Sequence, residues 1–261
     1  MCRLLGYCAR EATAVADLIG EEGLGALIGL SGLHADGWGM AWYDESSADS
    51  GPVVRKSPLR ADEPEFEKLA RQPLSDLGLL HLRWATPGLA VSDVNTHPFT
   101  FGSMAFAHNG AVHPQDRLWQ ILPPAWEQRV AGTTESERYL LLIMSRLQDD
   151  RGDMVAAIAQ AAAQIERQFA PNSLNAILLT PRHLYGIAWH DKDKVPAAKL
   201  AERGCGPDEI GCYFDLSYLA TDEAVVVAST GWAQDGWKRL PNRHVLVVER
   251  STLTKQVLEL R

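Results

Sequence analysis

The chain has 261 residues, a formal net charge of −8, and 46% apolar against 22% charged residues, the proportions of a globular protein with a substantial core. The negative balance argues against a nucleic-acid binder, which presents a basic face to phosphates, yet it leaves room for a local positive pocket around a small carboxylate. No stretch approaches the about 18 apolar residues of a membrane span and the N-terminus lacks a basic-then-apolar leader, so no membrane partner and a cytoplasmic location are expected.

Residues 2–9 read as a strand, followed by an amphipathic helical stretch through Leu18, Leu27 and Ile28. His34-Ala-Asp-Gly-Trp-Gly39 is a turn cluster leading into an apolar strand at 40–43, and the polar run 44–52 reads as a hairpin tip. Residues 63–71 suit a helix, and 77–86 a buried strand ended by Pro87-Gly88. A strand at 104–108 stops at the turn dipeptide Asn109-Gly110. Thr134 with Glu137 fits a capping box opening a helix over 135–147, and a second, alanine-rich helix is expected over 154–169. Short strands then follow at 174–180, 184–189, 218–220, 225–229, 245–249 and 256–260. Strands at both ends around two central helices predict a single α+β domain with helices on the outer faces of packed sheets.

Cysteines are few: Cys2, Cys8, Cys205 and Cys212. That is too few for a disulfide framework, and there is no pair of pairs at zinc-site spacing, so no metal site is expected. Cys2 is the informative one. If Met1 is removed, Cys2 carries a thiol and the α-amine of the chain, whose reference pKa of roughly 7.7–8.0 suits a general base. A nucleophile with its base on one residue needs no separate histidine. A secretory cleavage would remove it.

Four short motifs occur in order: Met1-Cys-Arg3, His81-Leu-Arg-Trp-Ala-Thr86, His108-Asn-Gly110 and Thr133-Thr-Glu-Ser-Glu137. Together with Asn95-Thr-His-Pro98 and the turn cluster at 34–39, they resemble the class II glutamine amidotransferases. The likeness is strongest to stand-alone members such as the amidohydrolase of ergothioneine synthesis and the γ-glutamyl hydrolase of glutathione breakdown. The resemblance implies the N-terminal-nucleophile fold, a four-layer α/β/β/α sandwich of antiparallel sheets, spanning 1–261 as one amidotransferase domain after loss of Met1. It implies Cys2 as nucleophile, with Asn109 and the Gly110 N–H as oxyanion donors. Arg83 would act as a planar fork for the substrate α-carboxylate, which Trp84 and Thr86 would help to frame.

Each position also has a plainer reading. Asn-Gly alone is a hairpin turn, an arginine near a strand end is a surface ion-pair residue, and a helix N-terminal acid favours the macrodipole. Two positions depart from the family pattern. Glu135 stands where the family carries the aspartate that meets the substrate α-amine, and Pro87 stands where synthase-type members often carry histidine. The expected activity is hydrolysis of the γ-amide of glutamine or of a γ-glutamyl compound through a Cys2 thioester, with no cofactor. Two alternatives stay open: a glutaminase subunit supplying ammonia to a separate synthetase, and an inactive binding protein on the same fold. The segment 232–237, with two tryptophans, could serve as a lid or be a solvent loop.

Overall fold

Strands that are apolar on both faces dictate the architecture, because such strands must be covered on both sides. The computed structural model describes residues 2–44, 47, 51–149 and 152–261; Met1 and most of the tip expected at 44–52 lie outside the described residues. The strands are β1 (Arg3–Thr13), β2 (Trp38–Trp42), β3 (Val53–Ser57), β4 (Ser75–Leu82), β5 (Phe99–Phe101), β6 (Met104–Asn109), β7 (Asn175–Leu179), β8 (His183–Ala188), β9 (Leu216–Ala220), β10 (Ala224–Ser229), β11 (Lys238–Arg239), β12 (His244–Glu249) and β13 (Lys255–Glu259). The helices are α1 (Val15–Gly29), α2 (Pro64–Ala70), α3 (Pro124–Glu127), α4 (Glu135–Asp149), α5 (Met154–Gln168), α6 (Ala197–Glu202) and α7 (Pro207–Gly211).

Among the described residues one sheet runs β11-β9-β10-β1-β4-β2-β3 and the other β13-β12-β8-β7-β6-β5, and neighbouring strands are antiparallel. In β1, Leu4 and Cys8 point into the layer between the sheets, whereas Leu5 and Tyr7 point to the core under α1 and α2. The same alternation places Leu77 and Leu79 of β4 between the sheets and Leu80 and Leu82 under the helices. On the second sheet Ala105, Ala107 and Ile177 face inward, while Phe106 and Leu178 meet α4 and α5. The layers are therefore helix, sheet, sheet, helix, the expected four-layer α+β sandwich. The sheets approach closely: a Cβ on Gly6 would sit 2.8 Å from Cγ2 of Ile177, so alanine there would cost about 1–3 kcal/mol in overpacking.

The elements agree with the sequence pattern except at their ends and in six short pieces. The strand expected at 77–86 leaves its sheet after Leu82, and β3, β5, β11, α3, α6 and α7 carry no strong pattern of their own. The capping box at α4 is half made. Thr134 Oγ accepts from the Glu137 N–H (3.2 Å), but the Glu137 carboxylate turns to the N–H groups of Ala131 (2.9 Å) and Gly132 (2.8 Å). The 232–237 segment is half-buried against the core under α1, with the Trp232 and Trp237 rings edge to face. No helix among the described residues is long and apolar enough to cross a membrane.

Candidate active site

Antiparallel pairing sets the start of β1 beside the end of β4, with Arg3 opposite Leu82. Cys2 and Arg83 are the residues that next leave these strands, so both lie at one end of the sandwich. The end of β6 delivers Asn109 and Gly110 to the same place, and the first turn of α4 delivers Glu135. Cys2, Arg83, Gly110 and Glu135 line one narrow cleft of about 20 Å³, and Asn109 stands beside it through its bond to Cys2.

Cys2 is buried, and its nitrogen donates to Asn109 Oδ1 at 2.9 Å. Its Sγ accepts from the Trp84 N–H at 3.4 Å. Burial pushes the thiol pKa up, while the Trp84 N–H and the Arg83 charge pull it down. With Oδ1 of Asn109 engaged, Nδ2 of the same amide is buried and has no partner among the described residues. Gly110 follows at the cleft wall. A Cβ there would lie 1.9 Å from the Ser173 carbonyl oxygen, so only glycine fits at this position.

Arg83 is buried at 3% exposure and forms no salt bridge among the described residues. Its guanidinium is aimed by two backbone carbonyls, donating to Asp36 O (3.3 Å) and Ala90 O (3.1 Å). Glu135 is equally buried; its Oε1 accepts from the Thr86 hydroxyl at 3.4 Å and its Oε2 has no partner among the described residues. Burial pushes its carboxyl up to about 7, against the pull of its backbone N–H, Thr86 and Arg83. A buried cation and a buried carboxylate that do not pair directly, facing one small cleft, suit a zwitterionic amino-acid group, whose two charges would complete both.

The structure brings Cys2, Arg83, Trp84, Thr86, Gly110 and Glu135 to one cleft, with Asn109 bonded to Cys2. The Trp84 backbone is turned to the Cys2 sulfur, and the Thr86 hydroxyl to Glu135 rather than to Arg83.

Several residues that hold the site were visible only as motif letters. The Asp36 carboxylate accepts from the Ala85 N–H at 2.8 Å and so pins the segment after Arg83. Asn95 bridges two loops, donating to Ala90 O and accepting from the Thr133 N–H. His108 donates from Nε2 to the Ser173 carbonyl (3.1 Å), which leaves Nδ1 to accept from the Ser136 hydroxyl (2.9 Å). Burial lowers its pKa to about 4, keeping it neutral. Among the described residues no cluster of His, Cys, Asp and Glu could hold a metal ion.

Comparison with known proteins agrees with this geometry. The chain is 27% identical to γ-glutamyl-hercynylcysteine sulfoxide hydrolase of Mycobacterium tuberculosis, over 99% of this chain and 97% of that protein. It is 30% identical to the probable glutamine amidotransferase DUG3 of Saccharomyces cerevisiae over 44% of this chain and 34% of that one. A glutamine aminotransferase class-II domain protein from Silicibacter pomeroyi superposes with a TM-score of 0.65 at 20% identity, covering both chains fully, and so shares the fold. Residues 1–259 match the family described as glutamine amidotransferases class-II. With nearly its whole length matched and Cys2 at the mouth of a small charged cleft, the chain belongs to the class II glutamine amidotransferases, enzymes acting on amide bonds.

Proposed function

We propose that the protein hydrolyses the γ-amide of a γ-glutamyl compound, with Cys2 as nucleophile, and that residues 1–261 act as one amidotransferase domain once Met1 is removed. The observation that carries this reading is the unpartnered Nδ2 of Asn109, whose Oδ1 holds the Cys2 nitrogen, at a cleft that Cys2 shares with a buried Arg83 and a buried Glu135. In the processed chain the Cys2 nitrogen, held by Asn109 Oδ1, is the α-amine. It takes the thiol proton as sulfur attacks the amide carbon. The oxyanion is received by Asn109 Nδ2 and the Gly110 N–H, donors fixed before the reaction begins.

Collapse of the tetrahedral intermediate breaks the C–N bond. The proton on the α-amine passes to the leaving nitrogen, and a γ-glutamyl thioester remains on Cys2. Water then attacks that thioester with the α-amine again as base, releasing glutamate and restoring the thiol. Arg83 would take the glutamyl α-carboxylate as a bidentate fork, and Glu135, with Thr86, the α-ammonium. The near full-length likeness to a protein named as a γ-glutamyl hydrolase favours hydrolysis over supply of ammonia to a synthetase.

The test is intact mass after treatment with 6-diazo-5-oxo-norleucine, with the N-terminus sequenced alongside. A chain beginning at Cys2 with one adduct on that residue is expected, and Cys2→Ala should stay unlabelled. A processed wild-type chain that neither labels nor releases glutamate from any γ-glutamyl compound refutes the reading.

A further inference from the structure

A second and larger cavity, about 480 Å³, adjoins the reacting cleft and shares Trp84, Ala85 and Thr86 with it. Its far wall comes from the connection between β8 and β9, which no step above uses. There α6 and α7 form a small core of their own, with Leu200, Tyr213 and Phe214 buried and Trp84 packed against them. The connection therefore grips the residue whose backbone touches the nucleophilic sulfur. On the other side Ala111, next after the oxyanion glycine, borders the same cavity. Because the two cavities meet at Trp84, Ala85 and Thr86, the group leaving a γ-glutamyl unit held by Arg83 and Glu135 would exit toward this side.

His113 and Asn172 also line the cavity, the latter accepting from the Ala111 N–H. Lys199 and Arg203 stand on its rim beside a single acid, Glu202. Neither Lys199 nor Glu202 is in a salt bridge among the described residues. Arg203 is held in place, its guanidinium 4.0 Å from the centre of the Trp84 ring and one N–H donated to Leu33 O at 2.7 Å. Gln115 lines the cavity too, and its Nε2 is buried with no partner among the described residues. An unpaired buried donor and two cations against one carboxylate call for an acceptor-rich, anionic occupant.

We propose that this cavity is the leaving-amine subsite and selects amines that carry a carboxylate, so that the substrate class is γ-glutamyl amino acids and short γ-glutamyl peptides rather than glutamine. The proposal rests on the hydrolytic reading above. The leaving group departs as the neutral amine of an amino acid or peptide. Its carboxylate remains with Gln115, Lys199 and Arg203, and its side chain lies against the Trp84 platform.

The experiment compares kcat/KM on γ-glutamyl-alanine, on the same compound with its carboxylate amidated, and on glutamine. The free carboxylate should be preferred over the amide by about tenfold, the scale of two partly exposed ionic contacts. That preference should shrink with added salt, since the contacts lie at a solvated rim. The double variant Lys199→Glu/Arg203→Gln should abolish it.

Equal turnover of all three compounds, or a preference that the double variant leaves intact, overturns the subsite while leaving the hydrolase reading in place. If none of the three is turned over by the processed enzyme, the hydrolase reading is what fails. Calorimetry then decides the subsite separately: γ-glutamyl-alanine must bind more tightly than its amide, and equal or absent binding overturns the proposal.

Discussion

The two adjoining cavities are built on different principles. The reacting cleft takes its groups from strand ends and a helix start: Cys2, Arg83, Asn109 and Glu135 are each 6% exposed or less. Its neighbour takes Lys199, Glu202 and Arg203, all exposed, from a single connection with a core of three fully buried residues. Buried groups on a two-sheet frame hold the tight geometry that bond-breaking demands. Exposed groups on a connection can vary without disturbing that frame. On the proposed reading, chemistry common to γ-glutamyl compounds would belong to the frame, and choice among leaving groups to the connection.

Replacing frame residues should therefore destroy turnover, and by far more than any change on the connection. Cys2→Ala should abolish glutamate release from every γ-glutamyl compound with the thermal transition unchanged; turnover above a few per cent would mean another nucleophile. Asn109→Ala should lower kcat by about 10²–10³-fold through loss of an oxyanion donor. A drop confined to KM would place this amide in binding instead.

Glu135→Gln should raise KM for γ-glutamyl substrates by about 10–100-fold, the scale of a hydrogen bond to a charged group, and leave compounds lacking the α-amine unaffected. Because burial pushes Glu135 up to about 7, kcat/KM should fall as the pH drops below about 7, where the carboxyl takes a proton and no longer attracts an ammonium. Glu135→Asp should shift that limb, and an unshifted limb would assign it to another group. Glu135→Asp also asks whether the departure from the family aspartate is a mismatch: improved turnover of free glutamine would say so, and impaired turnover would show a site built around glutamate.

The smallest effect expected is on stability. The rings of His81 and His97 lie tilted with centroids 4.0 Å apart, His97 at the cleft wall, and burial lowers both well below the usual histidine range. Below about pH 6.5 the unfolded chain binds protons that the folded chain refuses, so these two groups remove stability as pH falls. Glu135, with a raised pKa, acts oppositely: it favours the folded state at low pH and loses that contribution as pH rises toward about 7. With His108 also lowered, to about 4, the histidines outweigh it, and the urea midpoint should decline from pH 7 to pH 5. His97→Phe, which keeps a ring against Phe99 (4.7 Å), should flatten that decline; an unchanged slope would assign it to surface carboxylates.

Local sequence carried the long elements because their signals are local. The Asp153 side chain accepts from the Ala156 N–H and starts α5 near its expected place, and Thr134 starts α4 in the same way. The short pieces were illegible for the opposite reason: β5 has three residues and β11 two, and strands so short owe their conformation to a neighbour's hydrogen bonds rather than to a pattern of their own.

What the sequence determined by itself was the family and the long elements, since Met1-Cys-Arg3, His108-Asn-Gly110 and the other short motifs are readable in their order along the chain. Only the tertiary structure decided their relations. Asn109 Oδ1 is taken by the Cys2 nitrogen while its Nδ2 has no partner among the described residues; Thr86 turns to Glu135; and a connection 110 or more residues further along folds back over Trp84. The physical reason is distance along the chain. Cys2 and Asn109 are separated by 107 positions, and nothing short of two sheets closing on one core brings them within a hydrogen bond.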